Sequence, residues 1–170
     1  SSAYPGSGLA RFVRHVFWLR PGLLIVVDDL ESKKTAVFDW LLHTEGRIIS
    51  EGINVFLIKQ GQSAMRLRFL EPSDLKTSVQ TTQNEYADPE WGVRQWSVIQ
   101  ATPGTPKERE VFIAVITIAG NNAEPFIPVA TIDATGVVVG NNAGQGVRVQ
   151  TSPSVALRLA ANEEKATNRH

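Results

Sequence analysis

Apolar and polar positions alternate with a period of two along most of the chain, and no stretch sustains a helical period long enough to compete. Residues 11–20 (RFVRHVFWLR) are rich in β-branched and aromatic types, and alternation sends Arg14, Val16 and Trp18 to one side and His15, Phe17 and Leu19 to the other. Pro21-Gly22 suits a type II turn. Residues 23–27 then return as a continuous apolar run, the pattern of a strand covered on both faces, with Asp28 and Asp29 marking its exit into a loop over 31–34. Further strands are predicted over 36–43, 47–50, 53–59 and 64–70. So far the order reads as a meander.

After Pro72 the pattern loosens, and residues 84–92 (NEYADPEWG) suit an exposed loop around Tyr86 and Trp91. Strands resume over 93–100, a loop with two prolines spans 102–107, and 111–118 is β-branched nearly throughout, as in a central strand. Segments 126–132, 136–139 and 146–150 predict hairpins, with a last strand over 155–159. Roughly a dozen short strands with closely spaced turn signals predict an all-β fold, a two-layer antiparallel β-sandwich. No linker-like stretch divides it, so one domain is expected over 1–160, followed by a polar tail over 161–170.

Composition narrows the chemistry. The 170 residues are 42% hydrophobic, enough for a packed core. Lys plus Arg number 17 and Asp plus Glu 17, so no bulk charge draws the chain to nucleic acid or to an anionic membrane. The absence of Cys removes disulfides, thiolate zinc sites and cysteine nucleophiles. There is no glycine-rich phosphate loop, no G-x-S-x-G elbow and no H-E-x-x-H. The longest apolar run, 23–27, is too short to span a bilayer as a helix. The chain opens at Ser1 without Met, which reads as an excised or processed piece of a larger protein.

The phrase RHVFWLRPGLLIVVDDL, with Arg14, Val16, Pro21 and the Val-Val-Asp-Asp of 26–29, is followed by FDWLLHT ending in His43 and Thr44. This combination resembles the C-terminal β-domain of the heparinase II/III-like and oligoalginate lyase families; the order of FLEPSDL, residues 95–101 and VFIAVITI is similar too. The resemblance implies a parent protein with an N-terminal helical toroid, cleaving uronic-acid polysaccharides by β-elimination in the periplasm or outside the cell. That reaction needs a neutralised carboxylate, a base for the C5 proton and an acid for the leaving oxygen. In these families the main acid and base come largely from the helical part, so the resemblance implies that this chain alone is inactive. No cofactor or metal is assigned to the chain; a divalent metal such as zinc would belong to the full-length protein. The alternative is a non-catalytic carbohydrate-binding or structural β-sandwich module.

His43 is the leading catalytic candidate, because it ends an apolar strand where the family motif places a His; the competing reading is a His bonded to a neighbouring strand. Tyr4, just before the motif, is a weaker candidate for proton transfer. Arg66 and Arg68 share one strand face, and Arg11, Arg14 and Arg20 cluster in sequence, so their guanidinium forks are candidate contacts for uronate carboxylates, against the plainer reading of solvated strand faces. Trp91, with Tyr86 and Trp96 nearby, is a candidate platform for sugar rings or else a core residue. His15, Asp28 or Asp29, and His43 have the donor types of a zinc site but no diagnostic spacing; the aspartates are better read as strand-end residues.

Overall fold

The computed structural model describes residues 8–83, 95–133, 136–140, 145–151 and 154–160. Among them are thirteen strands and no helix: β1 (Leu9–Leu19), β2 (Leu23–Ala36), β3 (Trp40–Thr44), β4 (Arg47–Gly52), β5 (Val55–Gln60), β6 (Ser63–Glu71), β7 (Leu75–Gln83), β8 (Gln95–Pro103), β9 (Lys107–Ala119), β10 (Val129–Asp133), β11 (Gly136–Gly140), β12 (Gly146–Gln150) and β13 (Ala156–Ala160). The protein is all-β, and every strand pairing among the described residues is antiparallel. Where the sequence reading has one domain over 1–160, the chain forms two compact units, Ser1–Phe126 and Ile127–His170.

The first unit is the sandwich. One sheet has six strands in the order β1-β2-β9-β6-β5-β4, the other three in the order β3-β8-β7. Only part of this is a meander: β9 inserts between β2 and β6, and β3 crosses to the smaller sheet. The core forms where the sheets face each other, with Val26, Leu67, Phe69 and Phe112 from the larger meeting Trp40, Leu75 and Ile99 from the smaller. Trp40 stands edge-on to Phe69, ring centroids 5.0 Å apart. Burial of Phe112 to Val115, each at 1% exposure or less, fits the central position of β9.

Three local differences from the sequence pattern have physical causes. β2 does not end at Asp28-Asp29 but runs on to Ala36, because neighbouring strands supply cations to both carboxylates. The turn after β1 is not type II, since Gly22 lacks a positive φ. Glycine is needed there for close approach: a Cβ would lie 2.5 Å from the Ile118 carbonyl oxygen, and the Ile118 N–H donates to the Gly22 oxygen at 2.8 Å. β7 (LKTSVQTTQ) has no counterpart in the predicted strands, because its core-facing positions alternate Leu75 and Val79 with threonines and its apolar signal is faint.

The second unit is a four-stranded meander, β10-β11-β12-β13. Val137 pairs with Val149 and Val139 with Val147, all four at 2% exposure or less. Gly136 has φ +139° and its missing Cβ would stand 2.1 Å from the Val149 oxygen, so a side chain there conflicts with both conformation and space.

Candidate functional site

Consecutive strand residues point to opposite faces, and Asp28 and Asp29 use this to divide the charges of β1 between the two sides of the larger sheet. Asp28 shares the core face with Val26 and is flanked in register by Arg14 and Phe112. It is 2% exposed. Arg14 donates from Nε to Oδ1 at 2.6 Å and from Nη2 to Oδ2 at 2.7 Å, a bidentate fork that raises the guanidinium pKa, chiefly through the hydrogen bonds. The same guanidinium lies 5.7 Å from the Phe12 ring centroid and 6.0 Å from that of Trp40. Its Nη1 has no acceptor among the described residues.

Asp29 is fully buried on the opposite face, held by Arg11 Nη2 at 2.9 Å and Arg109 Nε at 3.0 Å. Arg11 and Arg109 both stand across from Glu31, two residues along from Asp29 and on the same face. The arrangement undoes the zinc set considered from sequence. Asp28 and Asp29 face apart and each holds an arginine, His15 shares the side of Asp29, and His43 stands in the other sheet. Among the described residues no group of three His, Cys, Asp or Glu side chains converges.

His43 lies in β3 opposite Val98. Trp40 and Leu42 point into the core, so alternation turns His43 outward with Leu41, and its imidazole is exposed. On β8 the same outward face carries the half-buried Trp96, Val98 and Gln100, and β7 adds Ser78 and Gln80. No hydrogen bond or ion pair engages His43 among the described residues, so the alternative of a His bonded to a neighbouring strand is not what the structure contains. The arrangement offers one accessible imidazole beside an indole and amides, and no second proton-transfer group bonded to it.

Arg66 and Arg68 do share the outward face of β6, with different surroundings. Arg66 is 10% exposed in its side chain and forks onto Glu51 at 2.6 and 3.0 Å, while also reaching Glu124 at 3.5 Å and the Pro125 carbonyl. Its hydrogen bonds hold the Glu51 carboxyl below the usual carboxylate range. Arg66 therefore pins residues 120–126 to the sheet and has no free donor face for a sugar, a correction to its place among the candidate contacts. Arg66→Met is expected to cost about 1–3 kcal/mol in urea unfolding, with faster hydrogen exchange in 120–126 and unchanged glycan binding; weakened glycan binding in a fully folded variant would return Arg66 to the binding set. Arg68 is half-buried with no partner among the described residues. Tyr4, Tyr86 and Trp91 lie outside the described residues.

The sequence reading missed what β1 presents. Phe12, Val16 and Trp18 share Arg14's face of the strand, yet are 44%, 58% and 57% exposed. Arg20 stacks over Trp18, its guanidinium carbon 5.2 Å from the ring centroid. The alternation that places these side chains together is visible in the sequence; the uncovered state is not, because it depends on the smaller sheet having half as many strands as the larger.

A solved structure of a heparinase III with methylated lysines superposes on this chain with a TM-score of 0.54 at 16% sequence identity, covering 94% of this chain and 24% of that one. What the two share is the fold. This chain therefore spans about a quarter of that heparinase, and the likeness covers most of its length. No family model and no curated protein matches the chain.

Proposed function

We propose that this chain is the sugar-facing β-domain of a polysaccharide lyase-related protein acting on uronic-acid polysaccharides by β-elimination, and that it contributes one wall of the substrate cleft. The observation that carries the reading is the β1–β2 hairpin with the β3 that follows: the residues that resemble the lyase families fold into two strands of the larger sheet and an edge strand of the smaller, in a sandwich whose likeness is to a heparinase III. In this reading His43 is the chain's contribution to proton transfer, and its partner acid or base comes from a helical toroid. An exposed imidazole without a coupled second group suits that division of labour, since β-elimination needs both a base and an acid. The natural setting is the periplasm or the exterior, where acidic polysaccharides are met. Any divalent metal would be held by the larger protein.

The test is to mix the isolated chain with alginate, heparin and a neutral glucan, following affinity electrophoresis together with the ultraviolet absorbance of unsaturated uronate. Retardation by the acidic polymers without absorbance growth is expected. No retardation by any acidic polymer would sink the sugar-facing reading, and sustained absorbance growth would show that the chain holds a complete catalytic set.

A further inference from the structure

Resting on that reading, we propose that the core-facing side of β1 is the glycan contact: Phe12 and Trp18 lie against sugar-ring faces while Arg14 and Arg20 take carboxylates. β1 is the edge strand of the larger sheet, and its aromatic side is left open to solvent. An exposed aromatic strip alone names no ligand, but the two arginines do. Arg14 is oriented by its fork onto Asp28, which uses Nε and Nη2 and leaves Nη1 without an acceptor among the described residues, on a side chain 49% exposed. Arg20 has no carboxylate partner among the described residues and its guanidinium lies over the Trp18 ring. A stacked, oriented guanidinium loses less freedom on binding an anion than a free one, which favours carboxylate capture at these two points.

Spacing selects the kind of anion. Arg14 and Trp18, the ring that Arg20 lies over, are four residues apart on an extended strand, about 13 Å between backbone positions, a separation suited to two anionic groups rather than to one small anion. A polymer with a carboxylate on successive sugars and apolar ring faces between them matches the alternation of cation, aliphatic and aromatic side chains. A polypeptide strand laid on the ledge is the rival occupant. Its backbone carbonyls could accept from Arg14 and Arg20, but an apolar strand brings no negative charge to match the two guanidiniums, and charge-assisted bonds are the stronger ones. The charge pattern favours the acidic glycan.

The experiment titrates alginate oligomers, heparin oligomers and neutral glucan oligomers into the whole chain by calorimetry, using wild type, Trp18→Ala with Arg20→Ala, and Ile53→Ala in the β4–β5 turn, an exposed apolar residue outside the proposed contact. Trp18 and Arg20 are exposed, so the double variant should keep the wild-type circular dichroism and melting curve. The expected result is affinity for an acidic oligomer that falls about tenfold or more in the double variant, remains in Ile53→Ala and weakens with salt. Equal affinity of the double variant and wild type for acidic oligomers would overturn the assignment to β1 while leaving the sugar-facing reading standing. Equal affinity for neutral oligomers would overturn the carboxylate chemistry, and no binding of any acidic oligomer by folded wild type would overturn both. Hydrogen exchange in β1 or β3 that slows with protein concentration in the absence of glycan would assign the ledge to a paired strand and overturn the proposal.

Discussion

Replacing Arg14 by Ala is expected to lower the unfolding free energy by about 3 kcal/mol, because it strands the Asp28 carboxylate in the sandwich core. The figure sits at the low end for breaking a buried pair because the two halves differ: the Asp28 side chain is 3% exposed and that of Arg14 is 49%. The carboxylate was desolvated on folding between Arg14 and Phe112, and without the fork it keeps that cost and loses the compensation. Removing both charges in Arg14→Leu with Asp28→Val should recover most of the loss, since an apolar pair needs no partner. Urea unfolding of the four proteins in the cycle measures the coupling, and a value within about 0.5 kcal/mol of zero would show that the fork adds nothing. This expected instability is why Trp18 and Arg20, not Arg14, are the positions for testing glycan contact.

Phe112→Ala is expected to cost about 3–5 kcal/mol. Phe112 is 1% exposed in the central strand β9 and belongs to the cluster that joins the two sheets. Its removal leaves a cavity that strands paired on both sides cannot easily collapse to fill. A thermal melt with an unchanged midpoint would mean that the sheets adjust around the vacancy, and that packing across the sandwich is looser than the buried side chains suggest.

The strands that carry the core were plain in the sequence. Residues 23–27 and 111–116 are apolar without interruption, as expected of strands buried on both faces, and they pair as β2 and β9. β7 was not, because Thr77, Thr81 and Thr82 give an alternation too polar to stand out. The candidate site was legible in its orientations and obscure in its partnerships. The alternation Trp40, Leu41, Leu42, His43 already places the imidazole outward, and Arg66 and Arg68 do share a face. What alternation cannot supply is that Arg66 meets Glu51 and Glu124, or that Asp29 meets Arg109, since those partners are 15, 58 and 80 residues away and are brought close only by the strand order. The aspartate pair was misread for the same reason: carboxylates in a strand look like a chain end until the flanking arginines are in place.

The divided aspartates also fix how β1 can dock. Arg14 and Arg11 grip β2 from opposite faces, at adjacent carboxylates. A one-residue slide of β1 would turn every side chain to the wrong face, and a two-residue slide would carry Arg14 past Asp28 and leave that buried carboxylate without its cation, with Asp29 held by Arg109 alone. The outermost strand of the larger sheet therefore has a single electrostatically permitted alignment, which guards an edge carrying Phe12, Val16 and Trp18 in the open against slipping into a misaligned or aggregating pairing.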